Sequence, residues 1–279
     1  MRLGKVEPAE YKSQKIRAYC GIPTIECLPP IFSEDAVIEK LTCVPTITTD
    51  DLKQPPEIRK HLILSGLSGE FYQPLDQHIE IEELISTIIR QGYLARNPLS
   101  PACRAKKNEM YLEQMGILGE GYREGSNMTA LGSAIIGISG VGKSSAIESV
   151  LAMYPQVVRH TSYKNEPFKL EQLVWLKIDC PDDGSIKALC HQFFNAVDMA
   201  LGTNYYEEYV RPRQSEQVYL TAMKRCAFKH QLGILVVDEI QHLNTAKSGG
   251  IERMLNYFVT LVNTIGVPVL IVGLPWQSA

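Results

Sequence analysis

The sequence predicts an α/β fold of three layers, in which helices cover both faces of a parallel β-sheet. Two observations carry this prediction: strands and helices alternate from residue 133 onward, and the strands are almost continuously apolar. Strands of that kind are typical of parallel sheets, because both of their faces are covered by helices. The chain has 279 residues, of which 45% are hydrophobic, so it can bury a sizeable core.

The elements can be assigned in order along the chain. Apolar residues recur at three- and four-residue spacing from Ile81 to Ile89, which predicts a helix that ends at Gly92. Four short apolar runs predict strands at residues 134–137, 174–178, 233–237 and 267–272. The intervening helices are predicted at residues 143–153, 186–201, 215–230 and 251–265.

The composition changes along the chain and divides it into three segments. Eight of the sixteen prolines lie in the first 74 residues, so residues 1–75 are predicted to be an extended N-terminal arm that docks a partner. Residues 76–132 are predicted to be a helical lead-in followed by a polar loop or small helical insertion. Residues 133–279 are predicted to hold the α/β core.

Charge and cysteine usage exclude several classes of protein. The 28 basic and 31 acidic residues give a net charge of -3, so any contact with nucleic acid needs a local basic patch. No apolar run approaches the roughly 18 residues of a membrane span, and we expect a cytoplasmic protein. Seven cysteines without a Cys-x-x-Cys pair argue against a zinc site or a disulfide framework.

Residues 137–144 read Gly-Ile-Ser-Gly-Val-Gly-Lys-Ser and fit the P-loop template G-x-x-x-x-G-K-[ST]. Glycines let successive N–H groups turn toward phosphates, and the following helix adds its positive N-terminus. Lys143 is expected to reach the β- and γ-phosphates of ATP or GTP, and Ser144 to ligate Mg²⁺. The alternative is an ordinary glycine-rich turn. The predicted nucleotide contacts are Gly137, Ser139, Gly140, Val141, Gly142, Lys143, Ser144, Ser145 and, from the motif described next, Asp238.

Residues 234–239, Ile-Leu-Val-Val-Asp-Glu, read as an apolar strand that ends in two carboxylates. Such an ending also fits an exposed strand end, but here it follows the P-loop with one strand between them. Buried charges need partners, so a cation is expected beside this pair. We predict that Asp238 helps to hold Mg²⁺ and that Glu239 is the catalytic residue that polarises the attacking water, which indicates ATP hydrolysis.

Several stretches of the chain, from about residue 17 onward, carry a family resemblance. They are residues 71–75, 90–98, 154–157, 176–180, 236–243, 248–250 and 267–269. The run Val-Val-Asp-Glu-Ile-Gln-His-Leu at 236–243 is the centre of the match. Together these stretches resemble the AAA+ regulators of DNA transposition, namely the TnsC proteins of Tn-seven-type transposons and, more distantly, the TniB proteins.

The resemblance implies a P-loop AAA+ fold of the ASCE type, with strand order 5-1-4-3-2. It implies an ATP-dependent bacterial protein of the cytoplasm that is associated with the nucleoid when active. Such a protein assembles into a ring or filament on DNA and links a target-selector protein, docked on the N-terminal arm, to the transposase subunits. Its DNA contacts are to the backbone and do not read sequence.

Lys187 is the leading candidate for a DNA contact, because it matches the position of backbone-contacting basic residues in the family. It lies in the first turn of the helix after the second strand. The alternative is a solvated lysine. Weaker candidates for DNA contact are Arg211, Arg213, Lys224 and Arg225. His242 is a candidate for tuning the site or a structural hydrogen bond, and Arg253 for an assembly surface or plain solvent exposure.

Two departures from the family pattern bear on catalysis. Leu274 stands where the resemblance implies a polar sensor of the γ-phosphate. The sequence reaches Ala279 before the family's fifth strand, arginine finger and helical lid. We therefore expect the lid to be absent, the core to be incomplete after its fourth strand, and ATP turnover by this chain alone to be weak.

Two further functional hypotheses remain open from the sequence. In the first, the chain is a nucleotide-dependent scaffold that binds DNA or protein without hydrolysing ATP, which Leu274 favours. In the second, it is related to the IstB- and DnaC-like helicase loaders, against which the proline-rich arm and the Asp-Glu-Ile-Gln-His-Leu run argue.

Overall fold

A computed structural model describes residues 6–69, 71–115, 117, 130–182, 185–241, 255–259, 262–263 and 266–275. The strands are β1 (Val6–Pro8), β2 (Gly132–Ile136), β3 (Val157–Tyr163), β4 (Glu166–Leu173), β5 (Trp175–Asp179), β6 (Ile234–Asp238) and β7 (Val269–Gly273). The longer helices are α2 (Glu34–Leu41), α4 (Pro56–Gly69), α5 (Asp76–Ala95), α6 (Pro101–Gln114), α7 (Lys143–Leu151), α8 (Ile186–Leu201) and α10 (Glu216–Lys229). The short ones are α1 (Pro23–Glu26), α3 (Thr49–Leu52) and α9 (Tyr205–Tyr209).

The main sheet has four parallel strands in the order β2-β7-β6-β5. It confirms the predicted parallel α/β fold, and each predicted strand is found within two residues of its expected bounds. Numbered by their order along the chain, the four strands are arranged 1-4-3-2. This order places the end of β2 and the end of β6 on the same edge, with β7 between them.

Helices cover both faces of this sheet, and β6 is therefore buried along its whole length. Leu235 and Val237 pack with Phe193 and Phe194 of α8 on one face. Ile234 and Val236 belong to the cluster on the other face, which contains α5, α7 and the first helices of the chain. The alternation of side chains along a strand thus builds two cores from one apolar run.

A second sheet, which the sequence analysis did not predict, consists of β1, β3 and β4. The strands β3 and β4 form an antiparallel hairpin whose turn places Lys164 and Asn165 at positive φ (50° and 65°). The buried ring of His160 bridges this hairpin to the N-terminal segment, with its nitrogens 2.8 Å from the Tyr11 hydroxyl and the Gln172 amide oxygen. The pairing was missed because many of its residues are polar and half-exposed, which blurs the alternation of a strand.

Part of the N-terminal segment, which was predicted to be an extended arm, packs into the core. Ile25, Leu28 and Val37 are fully buried and join the same cluster as α5 and α7. The helix α4, in contrast, leaves most of its residues exposed. Its role in docking a partner stays a prediction. In the next segment, α6 forms where a loop or small helical insertion was expected.

None of the described helices is long and apolar enough to cross a membrane. The predicted helix at 251–265 lies only partly within the described residues, where 255–259 and 262–263 are helical.

Gly233 precedes β6 at a place where a side chain has no room. A β-carbon there would lie 2.3 Å from the Val174 carbonyl oxygen and 2.6 Å from the Tyr93 hydroxyl. The first of these atoms is backbone and cannot rotate away. We therefore expect Gly233→Ala to lower the free energy of unfolding by about 1–3 kcal/mol or more, through overpacking. Urea denaturation monitored by circular dichroism measures this change.

The matched control is Gly132→Ala in β2. A β-carbon there meets its nearest atom at 3.8 Å, so we expect a change within about 0.5 kcal/mol. Equal stabilities for the two variants would contradict the crowding at Gly233.

Candidate nucleotide and magnesium site

The P-loop connects β2 to α7 and has the backbone conformation that its glycines allow. Gly140 and Gly142 have φ of 79° and 81°, in the left-handed region, and Gly142 caps the N-terminus of α7. A β-carbon on either residue would meet no atom within 4 Å, so their conformation, and not crowding, calls for glycine. The N–H of Gly137 donates to the Gly273 carbonyl (3.2 Å), which fixes the start of the loop to the end of β7.

The side chain of Lys143 folds back across this loop. Its Nζ donates to the carbonyl oxygens of Gly137 and Ile138, both at 2.8 Å. The remaining predicted contacts lie around it: Ser139, Val141 and Ser145 are exposed, and Ser144 is half-buried in the first turn of α7. The eight predicted residues of the motif therefore lie together in one loop and one helical turn. The arrangement leaves glycine backbone accessible to a phosphate group.

The carboxylates of the second motif lie at the end of β6. Asp238 is buried, and its Oδ1 accepts a hydrogen bond from the N–H of Glu239 (2.9 Å). Glu239 is half-buried and has a φ of 58°, a left-handed conformation that is uncommon outside glycine. Its carboxylate accepts a hydrogen bond from the side-chain amide of Gln241. The turn after β6 thus aims the two acidic side chains differently.

Gln241 also joins Glu239 to the end of β7. Its Oε1 accepts a hydrogen bond from the N–H of Leu274 (3.3 Å). A β-carbon on Gly273 would lie 3.0 Å from the same oxygen, so a glycine there leaves room for this contact. At the position where a polar sensor was expected, the leucine backbone therefore contacts a glutamine amide. Gln241 had no predicted role, although it is the polar residue that follows Asp238 and Glu239 most closely in the chain.

Lys177 is a second residue that the sequence analysis missed. Its Nζ lies 3.1 Å from Oδ2 of Asp238 and 2.6 Å from Oε1 of Glu148 on α7. Burial alone would lower the pKa of Lys177, but the hydrogen bonds to these carboxylates and their negative charge raise it above its ordinary value. Lys177 therefore stays charged. A lysine in the middle of an apolar strand was the signal that could have revealed it.

The donor atoms near the P-loop fit a magnesium ion that is shared with a nucleotide. Ser144 offers a hydroxyl and Asp238 a buried carboxylate, and hard oxygen ligands are those that Mg²⁺ prefers. Across the part of the chain that the structure describes, no cluster of three or more His, Cys, Asp or Glu side chains could hold a metal alone. Nucleotide phosphates are the usual source of the other ligands at such sites.

The candidate DNA contacts lie away from these motifs in the sequence. Lys187 is exposed in the first turn of α8, whose N-cap Ser185 accepts a hydrogen bond from the Ala188 N–H. Arg211 and Arg213 are also exposed, whereas Lys224 and Arg225 are half-buried on α10. His242 and Arg253 lie outside the described residues. The DNA role of each stays a prediction.

The parallel sheet, the P-loop and the acidic end of β6 define the class of P-loop nucleotide-binding ATPase domains. The sequence profile of the AAA domain matches residues 127–278, more than half of the chain, and the chain belongs to this family. Among solved structures, the chain is similar to the Walker-type ATPase PABY2304 of Pyrococcus abyssi. That match has 16% identity and a TM-score of 0.34, and covers 61% of this chain but only 44% of the other. A comparison with curated proteins found no match.

Proposed function

We propose that this protein is an ATP-binding AAA+ regulator of DNA transposition, which assembles on DNA and links a target-selector protein to the transposase. The observation that carries the proposal is the pairing of an open P-loop with the buried Asp238 on the same sheet edge. The transposition role is supported by the sequence around that edge, where the Asp-Glu-Ile-Gln-His-Leu run resembles the TnsC family. The role corresponds to a bacterial protein of the cytoplasm and nucleoid.

Each residue of the site has a separate task in this proposal. The backbone N–H groups of Gly140 and Gly142 contact the phosphates, and Lys143 leaves the loop carbonyls to neutralise phosphate charge. Ser144 and Asp238 hold Mg²⁺, which supplies positive charge to the phosphates when it is bound. Glu239, held by Gln241, orients and deprotonates the attacking water.

The docking of the target selector is supported by the exposed apolar residues of α4. Ile63, Leu64 and Leu67 are each more than half exposed, and Ile58 and Leu62 are more than 40% exposed. Of these, Leu62, Ile63 and Leu64 line a groove of about 580 Å³ together with the residues around α3. An apolar surface of this kind is typical of a protein-binding site. A partner helix or strand with apolar side chains fits the groove best.

Assembly on DNA is tested by measuring binding of the chain to duplex DNA with ATP–Mg²⁺, ADP–Mg²⁺ and no nucleotide, by fluorescence anisotropy and electron microscopy. We expect binding that requires ATP. Because Lys187 is assigned a phosphate contact, Lys187→Glu is expected to weaken binding about tenfold on every DNA sequence. The slope of the logarithm of the binding constant against the logarithm of the salt concentration is also expected to decrease in magnitude by about one.

The matched control is Lys169→Glu, the same charge reversal on an exposed lysine of β4. It is expected to leave DNA binding unchanged. Equal losses in the two variants would mean that only general charge matters. Binding that is indifferent to nucleotide would contradict the proposed regulator.

One observation favours a second candidate function, that of a scaffold that binds ATP without hydrolysing it. The side chain of Leu274, just after β7, is apolar and cannot hydrogen-bond a γ-phosphate. The backbone N–H of Leu274 already donates to Gln241. A scaffold needs nucleotide-dependent binding but no turnover. Phosphate release measured with and without DNA separates the two functions, because only the first predicts DNA-stimulated release.

A further inference from the structure

Lys177 connects the two halves of the candidate site. Its ammonium lies 2.6 Å from Glu148, which belongs to the helix that begins at the P-loop, and 3.1 Å from Asp238 at the end of β6. The side chain of Lys177 is only 11% exposed and that of Asp238 only 4%, whereas Glu148 is 62% exposed. The pair with Asp238 is therefore the buried one. The pair with Glu148 lies at the border with solvent.

The charges around Lys177 leave a surplus of negative charge. Asp179 lies 3.9 Å from the same ammonium, and Glu239 follows Asp238 directly in the chain. The carboxylates of Glu148, Asp238 and Asp179 thus lie 2.6, 3.1 and 3.9 Å from one lysine ammonium. Asp238 already uses Oδ2 for Lys177 and Oδ1 for the N–H of Glu239. This surplus of negative charge attracts a second cation to Asp238. The Lys177 ammonium, which is bound to the same carboxylate, repels it.

We propose that Lys177 is a positioning residue, and that Lys177 and Mg²⁺ are alternative partners of the Asp238 carboxylate. Without nucleotide, Lys177 neutralises Asp238 and holds its carboxylate in place. When Mg²⁺ and nucleotide bind, Asp238 turns from Lys177 to the metal, and Lys177 stays paired with Glu148. Glu148 thereby makes the release of Lys177 easier, and the metal site is coupled to α7. This inference rests on the proposed nucleotide site.

The exchange predicts effects of opposite sign for two substitutions. Lys177→Met removes the cation that competes for Asp238, so the affinity for Mg²⁺ should rise about tenfold. Glu148→Gln removes the second partner of Lys177, which then pairs more strongly with Asp238, so the affinity for Mg²⁺ should fall severalfold. If the ion pairs only maintain structure, both substitutions should weaken Mg²⁺ binding.

The experiment titrates Mg²⁺ into the full chain at saturating concentration of a fluorescent ATP analogue, at mildly alkaline pH. The control is Glu39→Gln, the same substitution on an exposed residue of α2, which should leave the affinity unchanged. In a parallel experiment, ADP is titrated into each variant in excess EDTA. The affinities for ADP should not differ between the variants, because the exchange requires the metal.

The results distinguish this inference from the proposed function. Opposite shifts of the two variants support the exchange, whereas shifts in the same direction, or none, overturn it. If Lys177→Met fails to fold, Lys177→Gln replaces it, because it also removes the positive charge but keeps a side chain that can donate a hydrogen bond. A tighter Mg²⁺ affinity of Lys177→Gln supports the exchange, and an unchanged or weaker one overturns it. A wild-type chain without Mg²⁺-dependent nucleotide binding overturns the proposed function, and the exchange with it.

Discussion

Lys143→Ala is expected to remove most of the thermal stabilisation of the chain by ATP–Mg²⁺. A ligand that binds only the folded state stabilises it by about 2.7 kcal/mol at a concentration 100 times its Kd. The substitution removes the ammonium that is assigned to the β- and γ-phosphates, so most of this gain should disappear. Within the described residues, the Lys143 ammonium donates to two carbonyls of its own loop, so the unliganded variant should melt close to the wild type.

The measurement compares unfolding temperatures in buffer, ADP–Mg²⁺ and ATP–Mg²⁺ for the wild type and the variant. Lys169→Ala, an exposed lysine of β4, is the control and should retain the full shift. An unchanged ATP–Mg²⁺ shift in Lys143→Ala would show that the P-loop does not bind the phosphates. The candidate site would then have to be abandoned.

Glu239→Gln is expected to lower DNA-stimulated phosphate release by about 10²–10⁴-fold while the ATP–Mg²⁺ thermal shift is retained. In the proposed mechanism the carboxylate of Glu239 takes the proton from water, and an amide cannot accept it. The shape of the side chain is preserved, so the turn with φ of 58° and the contact with Gln241 should survive. Binding and chemistry should therefore separate in this variant.

The control for this substitution is Glu207→Gln, on an exposed position of α9, which should release phosphate at the wild-type rate. Turnover by Glu239→Gln equal to that of the wild type would remove Glu239 from the mechanism. If the wild type itself releases no phosphate on DNA, the result favours the scaffold function, in which nucleotide binding without hydrolysis controls assembly.

Local patterns were sufficient for the sheet and for the two motifs of the site. The four apolar runs predicted strands to within two residues, and the prediction was clearest for β6 and β7, because these buried strands consist mostly of consecutive Ile, Val and Leu. The glycine spacing of the P-loop was equally readable, since the loop's conformation depends on residues next to one another. Asp238 and Glu239 were predicted in the same way, because they directly follow an apolar run in the sequence.

The three-stranded sheet of β1, β3 and β4 could not be predicted in this way. Its first strand pairs with residues about 150 positions further along the chain, for example Val6 with Val157. The partly polar strands carry no clear alternation, and their pairing is stabilised by contacts such as that between Tyr11 and His160. Such contacts exist only after the chain has folded.

What the sequence determined was therefore the fold class, the nucleotide loop and the acidic strand end, because each depends on residues adjacent in the chain. Only the tertiary structure decided which side chains and backbone groups those residues contact. Lys177 reaches Asp238 because β5 and β6 are neighbours in register, and Gln241 reaches Leu274 because β7 ends beside β6. A buried carboxylate needs a positive partner, but the partner's identity depends on which strands lie side by side.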